Sequence, residues 1–205
     1  PPTRSLSGGG RAGPRRRRAA GKGAVEGGRR PAGGRAGGHT GGGVIEAGDL
    51  LGIIEPETIT NWLVKAEELG YDSGWVQEQV LGTVATLDPI PLLSYAAAVT
   101  RRIKLGTSVM LTALRNPVPL AKSLASLDQL SGGRLILGVG LGGYADIYSA
   151  FGMSRRGRRQ RFEEGIELIK RLWTQDKVTF DGRFWQLNGQ SITPKPLQKT
   201  HPPIW

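Results

Sequence analysis

The sequence predicts an α/β fold in which helices cover a parallel sheet. From about residue 55 onward, segments with apolar residues at helical spacing alternate with short apolar segments typical of buried strands. Three of these strands are centred near Trp75, Gly106 and Leu137, 31 residues apart, which is the length of a strand–helix–strand unit with a right-handed crossover. Such a sheet forms either an open doubly wound layer or a closed barrel, and these patterns leave both possibilities open.

The first three helices carry clear start and stop signals. One begins at Pro56 and ends before Gly70, because proline is tolerated in the first turn and glycine favours a helix end. The next two follow the N-cap residues Asp88 and Asn116, each of which precedes a proline, and run to about residues 99 and 131. Strands are predicted over residues 73–76, 103–110 and 134–139.

The remaining elements are predicted from shorter patterns. Residues 159–173 have helical spacing, and residues 178–180 and 184–187 flank Asp181 and Gly182, a pair typical of a two-residue hairpin turn. Residues 201–205 resemble the entry to another parallel strand, at which the sequence stops. Before Pro56, residues 44–49 are a poor match to a strand, and residues 50–54 fill that place only weakly.

Most of the basic charge lies in an N-terminal tail, residues 1–43. The chain has 28 Lys and Arg against 17 Asp and Glu, a net charge of +11, but the tail alone contributes nine Arg and one Lys against one Glu. Because the tail also holds 15 of the 32 glycines and no aromatic residue, we expect it to be disordered, or to be an upstream extension of the reading frame. Without aromatic residues to stack on bases, its composition argues against selected nucleic-acid binding.

Composition also excludes several classes of protein. The chain has no cysteine, and therefore no disulfide framework and no thiolate metal site. Its longest apolar runs fall far short of the ~20 residues that a membrane-spanning helix needs, and no targeting segment precedes the fold. We therefore expect no membrane association and a cytoplasmic location.

Seven ordered blocks between residues 55 and 205 carry a family resemblance. They read AEELGYDS followed by WV (66–76), RIKLGTSV (102–109), LRNP (114–117), LDQLSGGR (127–134), LGVG (137–140), FDGRF (180–184) and PPIW (202–205). This text resembles the luciferase-like flavin-dependent oxidoreductases, which include bacterial luciferase, alkanesulfonate monooxygenases and deazaflavin F420-dependent reductases. The resemblance implies that residues 44–205 form the N-terminal portion of a TIM (β/α)8 barrel, truncated at the fifth strand, with its active site at the C-terminal ends of the strands.

The resemblance implies catalytic residues directly after the second strand. Family members have an acidic residue followed by His there, and this chain has Glu78 and Gln79. Gln79 cannot exchange a proton near neutral pH, although its amide could donate to or accept from a ring carbonyl. Glu78 could orient or exchange protons in its place, or it could be a solvated loop carboxylate.

The resemblance also implies cofactor-binding residues after the third strand. We expect a cis peptide bond between Ser108 and Val109, which in the family forms a bulge behind the flavin ring. Met110 and Thr112 then line the ring pocket, unless they belong to a buried strand end.

Glycines after the fourth strand are the remaining candidates for cofactor binding. Gly140 and Gly142 allow backbone N–H groups to approach an anionic group, although a plain turn explains them equally well. The arginine of bacterial luciferase and the glutamate of F420-dependent relatives are replaced here by Leu141 and Gly143. Neither mechanism therefore transfers unchanged.

Two other sets of residues have simpler explanations. His39 and His201 have no further His, Asp or Glu at ligand spacing, so no metal site is predicted. An arginine cluster lies before the fourth long helix and is explained by a solvated face or by attraction of a phosphate; it comprises Arg155, Arg156, Arg158, Arg159 and Arg161.

The resemblance implies a monooxygenase that uses reduced FMN and O2 to oxidise a small organic substrate, with paired electron donors and a flavin reductase as partner. The first alternative is an F420-dependent reductase or dehydrogenase acting by hydride transfer. The second is a non-catalytic chain, either an inactive truncated fragment or a basic-tailed nucleic-acid binder. A homodimer is also expected by resemblance.

Overall fold

The computed structural model describes residues 44–46, by their backbone, together with residues 54–143 and 145–205; the side chains of residues 145 and 146 are not described. The elements follow one another as β1 (Val44–Glu46), α1 (Pro56–Glu68), β2 (Ser73–Val76), α2 (Pro89–Val99), β3 (Lys104–Thr107), α3 (Pro117–Ser131), β4 (Leu135–Ile136), α4 (Ala145–Ala150), α5 (Arg158–Thr174), β5 (Val178–Asp181) and β6 (Gln186–Gln190). The predicted tail, residues 1–43, lies outside the described residues.

Four parallel strands form the main sheet in the order β1-β2-β3-β4. Trp75 pairs with Gly106, and Gly106 pairs with Ile136, so the three strands are aligned across the sheet. A parallel bridge from Leu137 to Ile204 continues the same order with the last residues of the chain. The strand order never reverses, as it would in a doubly wound sheet, and the barrel alternative is confirmed.

The first strand corrects the sequence interpretation. Residues 44–46 form β1, which pairs with residues 73–75 of β2, although their own pattern is a poor match to a strand. Of the segment that was the weak alternative, only Ile54 is described, and it is not in a strand. Backbone pairing with a well-formed neighbour therefore defines this strand, since its three residues are too few to show a period.

The helices begin as the sequence predicts. Asp88 Oδ1 accepts a hydrogen bond from the Ile90 backbone N–H (3.0 Å), and Asn116 Oδ1 accepts one from Val118 (3.0 Å). A proline fills the first turn of α1, α2 and α3. The short helix α4 was not predicted. No helix among the described residues is both long enough and apolar enough to cross a bilayer.

The predicted hairpin is present, but its turn lies after the predicted pair, because Gly182 N–H donates to Trp185 O (3.0 Å) and leaves residues 183 and 184 between them. Its strands are β5 and β6, and four residues, 182–185, connect them. The carboxylate of Glu164 in α5 accepts the backbone N–H groups of Arg183, Phe184 and Trp185 at 2.9–3.1 Å. This carboxylate supplies acceptors for three N–H groups of the connection and so stabilises the turn at its displaced position.

A single main core joins the helices to one face of the sheet. Residues Val76, Leu105, Leu135 and Leu137 of the strand segments are buried together with apolar side chains of α1, α2, α3 and α5. A smaller cluster above the strand ends contains Leu111, Ala113, Leu114 and Tyr148. The opposite face of the sheet, which carries Trp75, Gly106, Ile136 and Gly138 by alternation, faces the inside of the barrel.

Candidate functional site

The predicted site residues lie together at one edge of the sheet. Parallel strands end at the same edge, and the loops that leave β2, β3 and β4 there contain all eight of the predicted residues. Backbone hydrogen bonds join these loops: Ser108 N–H donates to Val76 O (2.7 Å), Met110 N–H donates to Gly138 O (2.8 Å), and Gly140 N–H donates to Met110 O (3.0 Å). The strand ends therefore form one connected surface.

Glu78 is fixed by hydrogen bonds to both of its carboxylate oxygens. Oε2 accepts the Leu111 backbone N–H at 2.5 Å, and Oε1 accepts Nε and Nη2 of Arg115 at 2.8 and 2.5 Å. The Glu78 side chain is only 2% exposed. Glu78 is thus a buried ion-pair partner, which differs from the solvated loop carboxylate that the sequence left open.

Arg115 has a second acidic partner. Its Nη2 also lies 2.6 Å from Asp88 Oδ2, so one guanidinium joins the carboxylates of Glu78 and Asp88. Burial acts to lower the pKa of Arg115, but the hydrogen bonds and negative charges of the two carboxylates outweigh burial and place it above its ordinary value. Arg115 therefore stays charged and joins both carboxylates across the working pH range.

Gln79 occupies the loop directly beyond this ion pair. Its side chain is partly buried and packs against Gly82, where an added Cβ would lie 1.9 Å from Gln79 Nε2. No hydrogen bond to its amide is found among the described residues. The role predicted for Gln79, a hydrogen bond to a ring carbonyl, stays a prediction.

The cis peptide bond predicted between Ser108 and Val109 is confirmed. It follows the last residue of β3, and the Val109 side chain is 39% exposed there. Gly140 packs directly against it, since an added Cβ on Gly140 would lie 2.5 Å from Val109 Cγ2. Val109 and Gly140 thus form one apolar contact between the ends of two neighbouring strands.

Met110 and Thr112 are both buried, in different ways. Met110 has no exposed surface and belongs to the main core, which matches the alternative of a buried strand end. Thr112 is 4% exposed, and its hydroxyl is the one buried side-chain polar atom of the described residues that has no hydrogen-bond partner. An unpaired buried hydroxyl costs about 1–3 kcal/mol and calls for an explanation.

The loop after β4 turns at Gly142, which has a φ of +75°. A Cβ there would touch Leu111 Cδ2 at 3.5 Å, so the loop packs closely on the loop after β3. The hydroxyl of Tyr148 donates to Leu141 O, and burial raises the pKa of Tyr148 against the opposing charge of Arg158. These contacts favour a turn held by packing; an approach of the N–H groups to an anion stays a prediction.

Two tryptophans that the sequence analysis missed lie on the inner face of the sheet. The rings of Trp75 and Trp205 stack with centroids 5.1 Å apart. The Trp75 indole occupies the space above Gly106, where a Cβ would lie 2.4 Å from its ring, and Nε1 donates to Ser73 Oγ at 2.9 Å. Strand alternation and the glycine at the paired position were the signals that could have located this stack.

The arginine cluster divides into packed and solvent-exposed members. Arg161 donates through Nε to Ala113 O (3.1 Å) and lies over the rings of Trp185 and Phe184, with its Cζ 4.6 and 5.6 Å from the centroids. Arg159 forms an exposed ion pair with Glu163 (2.8 Å), which contributes little to stability. A solvated face accounts for most of this cluster, and Arg161 supports the loop after β3.

No metal site emerges from the described ranges. Within residues 54–143 and 145–205, no group of three or more His, Asp or Glu side chains could hold an ion. His201 packs at 6.0 Å from the Trp173 ring, and its Nδ1 lies 2.7 Å from Pro202 O. His39 lies outside the described residues.

The sequence and the fold both match known proteins. A sequence profile of luciferase-like monooxygenases matches residues 31–205. The F420-dependent glucose-6-phosphate dehydrogenase of Kineococcus radiotolerans is 38% identical over 151 residues, which are 70% of this chain and 44% of that protein. The oxygenase component of the flavin-dependent trigonelline monooxygenase of Acinetobacter baylyi is 37% identical over 124 residues, 58% of this chain and 34% of that protein.

The fold is shared with solved structures. The monooxygenase RslO1 from Streptomyces bottropensis superposes with a TM-score of 0.69 and 34% identity, over 73% of this chain and 46% of that one. The chain therefore spans less than half the length of these relatives, which include both flavin-dependent and F420-dependent oxidoreductases. Because the family match covers most of the residues that form the parallel sheet, its helices and the loops of the candidate site, the chain belongs to the luciferase-like monooxygenase family.

Proposed function

We propose that this chain is part of a flavin-dependent monooxygenase that uses reduced FMN and O2 to oxidise a small organic substrate. The observation that carries the choice is the state of the two residues after β2. Gln79 exchanges no proton near neutral pH, and both oxygens of Glu78 are held by Arg115 and Leu111. An alcohol dehydrogenation by hydride transfer needs a base for the hydroxyl proton, and these two residues do not offer one.

The residues at the strand ends suit a flat, mostly apolar ring. Val109 offers a half-exposed apolar side chain, and Gly140 brings backbone close to it. The unpaired hydroxyl of Thr112 lies two residues beyond the buried Met110, where it could donate to a ligand after a small shift. These features support FMN binding by Ser108, Val109, Thr112 and the loop of Gly140 and Gly142, with Met110 contributing support from the core.

Bound reduced FMN would supply the electrons that activate oxygen. The residues of this chain would position the flavin ring and exclude water from it. Val109 and Gly140 would shape the surface against which a ring rests, the Gln79 amide would bond a ring carbonyl, and Glu78 orients the neighbouring loops through Arg115. Glu78 is therefore assigned a positioning role.

Two partners follow from this proposal. A monooxygenase that does not reduce its own flavin takes reduced FMN from a separate flavin reductase; the Acinetobacter relative is named as the oxygenase component of a flavin-dependent monooxygenase. We also propose that the protein acts as a homodimer. Equilibrium sedimentation would show a mass of about twice the chain for this second proposal, and a concentration-independent monomer would refute it.

The alternative is an F420-dependent dehydrogenase or reductase, which the similarity to the glucose-6-phosphate dehydrogenase favours. Thermal unfolding with FMN, with F420 and with neither separates the two. A ligand that binds only the folded state raises the unfolding free energy by about 2.7 kcal/mol at 100 times its dissociation constant. A rise with FMN supports the proposal, and a rise with F420 alone supports the alternative.

Thr112→Val tests the site directly, because it replaces the hydroxyl by a methyl of similar shape. The unpaired hydroxyl makes the variant at least as stable as the parent chain without ligand. If the hydroxyl bonds FMN, fluorescence titration shows several-fold weaker binding. Unchanged FMN affinity of the variant would remove Thr112 from the site. Failure of the parent chain to bind either FMN or F420 would favour a non-catalytic chain.

A further inference from the structure

We infer that residues 79–87 form a wall of the site that selects an uncharged, apolar substrate, and that Arg115 holds this wall in place. The inference rests on the proposed function for the site and adds the class of substrate. Its starting point is the loop between β2 and α2, residues 77–88, which leaves the strand directly beside Gln79.

The loop exposes an unusual amount of apolar surface. Val80, Leu81, Val84 and Leu87 are 43%, 57%, 47% and 38% exposed, although they lie within eight residues of one another. Between Gln79 and Leu87 the sequence has no charged residue. Exposed aliphatic side chains that cluster in this way indicate a binding surface more often than they indicate a simple solvated loop.

The only charged residues of the loop lie at its two ends, and one side chain, Arg115, pairs with both. Glu78 begins the loop and Asp88 ends it, and Arg115 from the next loop donates to both carboxylates at 2.5–2.8 Å. The Arg115 guanidinium therefore links the two ends of the loop. Residues 79–87 themselves carry no positive charge that would attract an anionic ligand.

The end of the loop continues into an apolar cavity of about 240 Å³. Leu87 lines it together with side chains of α1 and α2 that include Ile59 and Tyr95. The Tyr95 hydroxyl is hydrogen-bonded to Thr60 Oγ1 (2.6 Å) and Pro56 O (3.1 Å), so Tyr95 lines the cavity with its aromatic ring. The apolar lining and the absence of charge in residues 79–87 therefore suit an aliphatic or alicyclic compound better than a sugar phosphate.

The experiment uses the full chain with FMN and two probes, 2-octanone and glucose 6-phosphate, whose binding is followed by ligand-observed NMR. We expect 2-octanone to bind and glucose 6-phosphate to bind at least tenfold more weakly. Leu81→Asp should weaken 2-octanone about tenfold, because a charge replaces an apolar contact. Leu130→Asp is the matched control: Leu130 is 72% exposed at the other end of the sheet, and its replacement should change binding less than twofold.

Asp88→Asn tests the ion pair between Arg115 and residue 88 without removing the helix cap. Asn keeps an oxygen for the Ile90 N–H but presents an amide to Arg115. We expect faster hydrogen exchange within residues 79–87 and about fivefold weaker 2-octanone binding, with an unfolding midpoint within about 2 °C of the parent. A general loss of stability with uniform exchange would assign Arg115 a purely structural role.

The outcomes separate this inference from the proposed function. Equal effects of Leu81→Asp and Leu130→Asp, or tighter binding of glucose 6-phosphate than of 2-octanone, overturn the wall even where FMN binds. Loss of a dimer in Leu81→Asp, with 2-octanone binding unchanged, shows that another chain covers the loop and also overturns it. Failure of FMN to bind, with 2-octanone binding still dependent on Leu81, leaves the wall and removes the flavin function.

Discussion

The two edges of the parallel sheet are built differently. At the edge where the strands begin, the connections from α1, α2 and α3 have four, four and three residues. At the edge where the strands end, the connections after β2, β3 and β4 have twelve, nine and eight residues. The short connections have almost no conformational freedom to lose, whereas the long ones present backbone and side chains to a ligand.

Charged side chains hold the short connections. Glu67 in α1 accepts the backbone N–H groups of Arg101, Arg102 and Ile103. Arg134, in the connection between α3 and β4, donates to Ala97 O (3.0 Å) in the last turn of α2 and to Thr100 O (3.2 Å) just after it, although burial lowers its pKa. Such contacts satisfy the groups that a helix end leaves unpaired, and they make this edge the rigid one.

At the strand-end edge, the Glu78–Arg115 pair acts in the same way at the base of the loop after β2, and Arg161 supports the loop after β3. No hydrogen bond from a charged side chain holds Leu81 or the half-exposed Val109 among the described residues. The difference teaches that polar contacts concentrate where they fix the fold and are withheld where a ligand is expected. Substitutions at the two edges should therefore separate stability from binding.

The largest effect is expected for Asp128→Ala. Asp128 is fully buried near the end of α3 and accepts the backbone N–H groups of Leu197 (2.8 Å) and Gln198 (2.9 Å) and the Gln198 amide (2.7 Å). Its removal leaves two backbone N–H groups without an acceptor and takes one of two acceptors from the Gln198 amide, which should cost about 3 kcal/mol. Urea unfolding measures this loss; Asp72→Ala, at an exposed carboxylate, should cost less than about 0.5 kcal/mol.

At the edge where the strands end, the substitution Gly140→Ala should reduce ligand binding more than stability. Gly140→Ala places a methyl within 2.5 Å of Val109 Cγ2, so Val109 must move, whereas nothing lies within 4 Å of a Cβ on Gly143. We expect Gly140→Ala to weaken FMN binding about tenfold, or about 1.4 kcal/mol, and Gly143→Ala to leave it unchanged. Equal FMN titrations for the two variants would contradict a ligand surface at Val109.

Local patterns predicted the features that depend on local contacts. Asp88 and Asn116 each cap a helix through a residue two positions ahead, so their signal lies in adjacent letters of the sequence. The cis bond at Ser108–Val109 came from the resemblance and not from a physical pattern.

The features that were missed depend on residues far apart in the chain. Glu78 and Arg115 are 37 positions apart, and Glu164 sets the hairpin loop from 19 to 21 positions away. Periodicity cannot show which carboxylate will meet which N–H group across two elements. The strand β1 was missed for a related reason, since its evidence lies in its pairing with β2.

A moderate effect that depends on pH is expected for Glu67→Gln. Burial acts to raise the pKa of Glu67, but the backbone N–H groups of Ile103, Arg102 and Arg101 and the charge of Arg102 hold it below its ordinary value. The carboxylate thus stabilises the fold above the ordinary pKa of ~4.3, and this contribution is lost as the pH falls through the lower folded value. Glu67→Gln should cost about 1 kcal/mol at pH 7.

Thermal unfolding of both proteins from pH 7 to pH 3 checks the sign. The difference between parent and Glu67→Gln should shrink below pH ~4 as the parent carboxylate is protonated. FMN affinity should stay the same at pH 7, because the residue lies at the rigid edge. A constant difference over the whole range would contradict a charged role for Glu67.

The smallest effect is expected between the two edges, at the stack of Trp75 and Trp205. The rings lie 5.1 Å apart, and such a pair contributes about 0.5–1.5 kcal/mol beyond the area that it buries. Trp205 is 69% exposed, which places the coupling energy in a double-mutant cycle of Trp75→Leu and Trp205→Leu near the lower end. Trp75 also fills the space above Gly106, so its single variant should be the more destabilising one. A coupling energy near zero would mean that the stack follows from the strand register and does not stabilise it, leaving the rigid edge as the main determinant of stability.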